Sequence, residues 1–437
     1  MFKNKKIRLS KSRNQLSRRT FSKILIYLGA TFATPALNAN LGPKIIIVGG
    51  GIGGMNVLRV LTQELPMAQF FLIEPNSLYV TSFFTNQYIA NLKKLSNFTH
   101  SYTSIKKMAS IKLIHEWVSS INPEKQRIRL NSGQELSYDA LVLSPGIDLN
   151  FRSIDGYDEE CLHLFPHAYS GSNSSQWKIL HQQITNMPNG GLLAISVPRR
   201  PYRCTPAPYE RAALIANYFK LFKPKSKILI LDSKNEFPLM SMTLNYWSER
   251  YGDLLEWVSA DFGGSIHSLD KKSKTLISND EKFVPDVANI IPSQTASRIT
   301  LDAALTNKKG WCPINGITFE SKLIPNIYLL GDTIDGGDMP KSASAALSQA
   351  NIVAQSLQLK FAGLQDTTHK LKNDCFFFTS PEHAAVTGGE YRIQNEKIIG
   401  FKGYSSAPDD DDQVLYKNGK NAMIWYKNII KQTFLWS

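Results

Sequence analysis

Unbroken apolar runs, rather than alternating ones, set the rhythm of this chain. Lys44-Ile45-Ile46-Ile47-Val48, Gln69-Phe70-Phe71-Leu72-Ile73 and Leu141-Val142-Leu143 lie in the first third, and Leu192-Leu193-Ala194-Ile195-Ser196-Val197 and Lys227-Ile228-Leu229-Ile230-Leu231 follow. Asn326-Ile327-Tyr328-Leu329-Leu330 comes later. Short runs without alternation predict strands buried on both faces, as in parallel sheets covered by helices. Between the first two runs, Met55 to Leu65 repeats with a helical period, and Pro66 stops it. A second strand–helix–strand set opens near Gly190. The fold class predicted is α/β, with two Rossmann-like dinucleotide-binding domains.

The turns between these elements carry the candidate chemistry. Gly49, Gly51 and Gly54 follow the first strand with the G-x-G-x-x-G spacing, Gly53 lies among them, and Glu74 ends the second strand. That set predicts a tight turn, close approach to a pyrophosphate, and a carboxylate on the adenosine ribose. Strand 141–143 closes on Ser144-Pro145-Gly146, and strand 326–330 closes on Gly331-Asp332, followed by a helix from Ser342 to Leu357. The aspartate is placed to bind the ribityl chain of FAD, and the helix start to stabilise the reduced flavin. The second domain has no such cradle. After Val197 the chain reads Pro198 to Glu210 with four prolines and no glycine, so NAD(P)H is not expected there. The boundaries expected are 41–160 for the first part of the FAD domain, 161–285 for the second Rossmann-like domain and 286–360 for the return to the first. A C-terminal α+β domain follows over 361–437.

Charge alters the picture only at the start. The formal charge is +14, but residues 1–39 hold nine Lys and Arg and no acid, so the remainder carries about +5. With no zinc-finger spacing and no aromatic–basic RNA motif, nucleic acid is not an expected partner. Ser17-Arg18-Arg19-Thr20-Phe21-Ser22-Lys23 matches the twin-arginine export pattern. The apolar stretch from Ile24 to Ala36 falls short of the roughly 20 residues of a spanning helix. Residues 1–39 are therefore expected to be a twin-arginine signal, cut near Ala36 or Ala39, with a periplasmic destination and no transmembrane segment. The four cysteines, Cys161, Cys204, Cys312 and Cys375, allow three disulfide pairings in such a compartment. No metal-ligand spacing is present, and the acidic run Asp409 to Asp412 lacks that of a calcium loop.

Several stretches together resemble the flavoprotein subunits of flavocytochrome c sulfide dehydrogenase, relatives of sulfide:quinone reductases within the pyridine nucleotide-disulfide oxidoreductase type. They are Gly49–Gly54, Glu74-Pro75-Asn76, Arg203-Cys204-Thr205-Pro206-Ala207-Pro208-Tyr209-Glu210-Arg211 and Trp311-Cys312-Pro313. Thr318-Phe319-Glu320-Ser321, Gly331-Asp332, Met339-Pro340-Lys341-Ser342 and Trp425-Tyr426 complete the set. The resemblance implies FAD as cofactor, with Lys341, Ser342 and Trp425 joining Gly49, Gly51, Gly53, Gly54, Glu74, Pro145, Gly146, Gly331 and Asp332 around it. It implies a redox disulfide between Cys204 and Cys312 that sulfide opens, on the way to sulfur or polysulfide; a plain structural staple is the alternative. Glu210 is a candidate general base for hydrogen sulfide or a persulfide, or else a helix-start acid. Cys161 and Cys375 are expected to be structural or free. Where the family often tethers FAD to a cysteine, this chain has Ser82, which implies non-covalent FAD. With no C-x-x-C-H haem site, the acceptor implied is a separate c-type cytochrome subunit. Alternatives are a membrane-docked sulfide:quinone reductase and a non-catalytic flavin-binding assembly subunit.

Overall fold

The computed structural model describes residues 42–169, 174–279, 281–365 and 370–436. The expected signal segment lies outside the described residues. The apolar runs form two parallel sheets. In the first, the strand order is Ile327–Leu329, Ala140–Leu143, Lys44–Val48, Gln69–Ile73, Ile111–Ile114. Ile45, Ile46 and Ile47 are fully buried at its centre, which explains why no polar residue interrupts that strand. The chain leaves Val48 toward one side and later fills the other side with Ala140–Leu143, so the order reverses beside the first strand. A crevice opens at such a reversal, at the carboxyl ends of the strands.

The second sheet runs Leu255–Val258, Lys227–Asp232, Leu192–Val197, Val287–Ile290, again all parallel. This moves one expected boundary. Val287–Ile290 pairs with Leu193–Ser196, so the chain is still in the second domain where a return to the first was expected. The return comes one strand later, when Ser293–Ala296 pairs antiparallel with Ile147–Asn150. A run of Val-Ala-Asn-Ile buried on both faces is compatible with either sheet, so burial pattern alone does not assign it.

Beyond residue 369, Lys370–Phe378, Ala384–Gln394 and Lys397–Ser405 form an antiparallel sheet, followed by a helix over Asp412–Phe434. This is the expected C-terminal α+β unit. The acidic run has a local use, since Asp411 caps that helix by accepting from Val414 N–H at 2.9 Å. The helix closes back on the first domain: Thr433 Oγ1 accepts from Asn56 at 2.8 Å, and Tyr426 donates to the Asn97 carbonyl at 3.1 Å. One continuous core joins the two sheets and the C-terminal unit.

Candidate flavin and cysteine site

A cavity runs along the crevice, lined by residues of the first sheet's turns, the 203–210 segment, the 331–346 turn and helix start, and the C-terminal unit. Gly49, Gly51, Gly53, Glu74, Pro145 and Gly146 line one end. Gly49 has φ +101°, and a side chain there would come within 2.3 Å of the Ser144 carbonyl, so the turn admits only glycine. Gly54 does not line the cavity. A Cβ on it would sit 2.0 Å from the Gly49 carbonyl, so its part is close helix–strand packing. The helix Ile52–Glu64 begins at Gly51 without a side-chain cap or an acid in its first turn, leaving N–H groups for an anion. Glu74 is held by Gly50 N–H at 2.9 Å and by Asn76 at 2.9 and 2.7 Å, a fixed carboxylate at the rim.

The other end is formed by Gly331, Asp332, Ser342, Ala343 and Ser344, with Trp425 from the last helix. Asp332 faces Arg203 at 3.8 Å through one oxygen, while its Oδ1 is buried without a hydrogen-bond partner among the described residues. Burial pushes its carboxyl above the usual range. A buried acceptor of this kind asks for a donor from a ligand, and a hydroxyl of the ribityl chain is such a donor. With the glycine cradle, the uncapped helix and the fixed Glu74, the residues present fit FAD. Lys341 is a correction to the expected lining. Its ammonium turns away from the cavity to the Asp332 and Ile334 carbonyls at 2.9 and 2.5 Å and lies 3.6 Å from the Trp311 ring centroid. Burial lowers it to about 8. It braces the flavin-side turn from behind.

The cysteines are arranged differently from the expectation. Cys204 lines the cavity, and the thiol in hydrogen-bonding contact with it belongs to Cys375, not Cys312. All four cysteines are free thiols here. Cys375 sits on strand Lys370–Phe378, whose residues Asp374, Cys375 and Phe376 enter the cavity. The hydrogen bond with Cys204, then burial, push the Cys375 thiol well above the ordinary range. Cys312 is fully buried behind the 331–335 turn; its N–H donates to the Thr333 carbonyl at 3.1 Å and its Sγ lies 3.7 Å from Thr333 Oγ1. Its backbone forms an isolated parallel bridge with Ile334. Cys161 is buried in a small separate cluster with Tyr157 and Phe165, its thiol donating to the Asp158 carbonyl at 3.1 Å.

Cys204 is held in the left-handed region at φ +53°, an uncommon conformation for a residue with a side chain. Its N–H donates to the Lys341 carbonyl at 2.9 Å, and its carbonyl accepts from Tyr169 Oη at 2.9 Å and Ala207 N–H at 2.9 Å. These bonds fix the sulfur just ahead of the helix Ala207–Phe222. On that helix Glu210 is buried against the same cavity. One carboxylate oxygen accepts from Asn86 Nδ2 at 2.9 Å and the other from Phe378 N–H at 2.9 Å. Burial raises its carboxyl to about 7, partly offset by these two bonds and by Arg211. A buried carboxyl near neutrality beside two thiols can hold and release a proton at working pH. The cavity also takes in Ser82, Phe83 and Phe84 from the segment after Glu74, and Asn86 at the start of the short helix Asn86–Ile89.

The comparisons agree with this geometry. Residues 177–292 match the family "Sulfide dehydrogenase (flavocytochrome c) flavoprotein chain, central", and residues 367–434 match "Flavocytochrome c sulphide dehydrogenase, flavin-binding". Residues 43–176 match "Pyridine nucleotide-disulphide oxidoreductase". The mitochondrial sulfide:quinone oxidoreductase of Mus musculus is 23% identical over 339 residues, covering 72% of this chain and 71% of the relative. That of Schizosaccharomyces pombe is 21% identical over 343 residues, covering 72% and 73%. The sulfide:quinone oxidoreductase structure from Aquifex aeolicus superposes with a TM-score of 0.71 at 14% identity, covering 91% of this chain and 93% of that one. By its two flavocytochrome c sulfide dehydrogenase matches and its sulfide:quinone oxidoreductase relatives, the chain is similar to the flavoproteins of that group.

Proposed function

We propose that this protein is an FAD-dependent enzyme that oxidises sulfide to polysulfide or sulfur through a bridge that forms and opens between Cys204 and Cys375. The observation that carries the reading is the contact of those two thiols in the flavin cavity, beside buried Glu210. Hydrosulfide attacks one sulfur of the oxidised bridge, breaking the S–S bond; a persulfide forms on that cysteine and a thiolate on the other. A second hydrosulfide removes the outer sulfur as hydrogen disulfide. Reclosing the bridge then releases two electrons, so the cycle is two hydrosulfides to one hydrogen disulfide, one proton and two electrons. FAD, when bound, takes up that electron pair. Glu210 accepts the proton as hydrogen sulfide or a persulfide ionises. Ser82 lines the cavity where the family often carries a tethering cysteine, and a hydroxyl forms no thioether, which supports non-covalent FAD. The electron acceptor proposed is a separate c-type cytochrome subunit, in a periplasmic setting, because the chain has no haem-attachment motif of its own.

Anaerobic addition of sulfide to the purified holoprotein, with flavin absorbance as the readout, tests this. Cys204→Ser and Cys375→Ser should each slow flavin reduction at least about 100-fold, the scale of losing an activated nucleophile, while Cys312→Ser and Cys161→Ser leave it near the parent rate. Reduction at the parent rate in Cys375→Ser would sink the mechanism. Failure of the parent protein itself to be reduced would favour an assembly role. Reoxidation by a short-chain quinone but not by a c-type cytochrome would overturn the proposed acceptor.

A further inference from the structure

Glu210 is held by a chain of buried polar side chains that continues well beyond the cavity. Asn86, 4% exposed, stands on the short helix Asn86–Ile89 and donates through Nδ2 to Glu210 at 2.9 Å and to the Ala207 carbonyl at 3.0 Å. Its Oδ1 accepts from Arg211 Nε at 3.0 Å. The orientation of that amide is therefore not free. A guanidinium has donors only, so the oxygen must face Arg211 and the NH2 group must face Glu210. Arg211 is fixed in turn, donating to Asn289 Oδ1 at 2.5 Å and to the His167 and Ala168 carbonyls at 3.3 and 2.7 Å. Asn289 is pinned by the Pro166 and His167 carbonyls at 2.7 and 2.9 Å.

The relay joins three parts of the molecule at one carboxyl. Asn86 belongs to the segment after Ser82, Arg211 to the second domain, and Phe378 N–H to the strand that carries Cys375. The Arg211 side chain makes no hydrogen bond or ion pair with Glu210 among the described residues. Its charge favours the ionised acid, and it also turns an amide toward it, so the acid gains a donor without being locked in an ion pair. We infer that Asn86 is a positioning residue that, together with Phe378 N–H, favours the ionised form of Glu210 against its burial, with Arg211 fixing the direction of its amide. The inference deepens the proposed role of Glu210 as base and rests on it only for its catalytic consequence. The charged and titratable groups around Glu210 are Arg211 on its own helix, Cys204 before that helix, Cys375 and Asp374 on the facing strand, and the Arg203–Asp332 pair across the cavity. Among the described residues, only the bonds from Asn86 and Phe378 reach its oxygens.

The sign follows from the bond. Asn86 donates to the carboxylate and so favours the charged form; removing the donor leaves the burial cost less opposed and raises the proton affinity of Glu210. A hydrogen bond to a charged buried group corresponds to a shift of about one pH unit. The test titrates the carboxylic C=O infrared band of the FAD-loaded protein, identified as Glu210 by its loss in Glu210→Gln. In Asn86→Ala the midpoint should rise by about one unit. Asn86→Asp keeps the acceptor for Arg211, and thus the fold, but replaces the donor by a carboxylate. It should raise the midpoint at least as far, read against Asn86→Asp/Glu210→Gln. An unchanged midpoint in FAD-loaded Asn86→Asp would overturn the inference. The acid limb of flavin reduction by sulfide, taken in the same variants, separates the two ideas. A limb that survives Glu210→Gln removes Glu210 as the base, while the band shift still reports Asn86's control of its carboxyl.

Discussion

At the scale of single residues, two positions decide what kind of flavoprotein this is. One is Cys204, whose left-handed backbone is imposed by bonds from Lys341, Tyr169 and Ala207 rather than chosen by its own preference. The other is Ser82, in the cavity beside Phe83 and Phe84. On the proposed non-covalent reading, in which the Ser82 alcohol does not replace a thiol in the bond to the flavin, retention of FAD is expected to rest on the cradle of Gly49–Gly53, Glu74 and Asp332. Acid precipitation of the holoprotein should therefore release all the yellow colour to the supernatant. Flavin left on the denatured chain would mean that another side chain in the cavity has formed the link. Ser82→Cys gives the reverse expectation, with a fraction of the flavin held in the pellet.

At the scale of elements, the expectation that the second domain takes no nicotinamide nucleotide rests on its first loop and on the acid that ends its next strand. Strand Leu192–Val197 is followed by Pro198 to Pro206, a proline-rich stretch without glycine. The acid that ends the next strand, Asp232, is fully buried and already shared by Tyr209 Oη at 2.5 Å, Trp257 Nε1 at 3.0 Å and Lys234 Nζ at 2.5 Å. Tyr209 also stacks on Phe237 at 4.0 Å, filling the space beside it. A ribose has no acceptor left there. Stoichiometric NADH should leave the flavin spectrum unchanged under conditions where dithionite bleaches it, and rapid bleaching would show a nicotinamide site elsewhere. The proline-rich loop itself was legible in the sequence, because it is a local signal. The strands and the flavin cradle were legible for the same reason: runs buried on both faces and a glycine-rich turn are local signals. The partner of Cys204 was not. Cys375 sits at a half-buried position in a strand with mixed burial, and what brings it to the cavity is the return of the antiparallel sheet from the far end of the chain. Nothing near Cys312 or Cys375 in sequence reports which sulfur meets Cys204; that is a property of the long-range packing.

At the scale of the whole molecule, the cavity is an assembly point. Its walls come from residues as far apart as Gly49 and Trp425, so no single domain contains the site. The C-terminal sheet is fastened there by few bonds: Phe378 N–H to Glu210 and Asp374 N–H to Ser344 Oγ, each at 2.9 Å, Lys372 N–H to Ser348 Oγ at 3.0 Å, and Ser342 to Asn373 Oδ1 at 2.5 Å. The second sheet, by contrast, has its own parallel ladder and buried strands and lends the cavity mainly the Cys204–Glu210 segment. A ligand stabilises the states that bind it, by about 4 kcal/mol at a thousandfold excess over its Kd. That stabilisation falls on openings that break the site, not on those elsewhere. Removing FAD should therefore speed amide hydrogen exchange in residues 370–405 and in the 76–90 segment by 10-fold or more. Exchange in Leu192–Val197 and Lys227–Asp232 should stay within a factor of about two or three. The measurement compares the holoprotein with protein stripped of flavin and with protein reloaded with it. Equal acceleration everywhere would mean that the flavin holds the fold as one unit, and no acceleration in 370–405 would mean that the Cys375 strand is docked by its own packing. Selective acceleration, reversed by added FAD, would make flavin binding the step that brings Cys375 into lasting contact with Cys204.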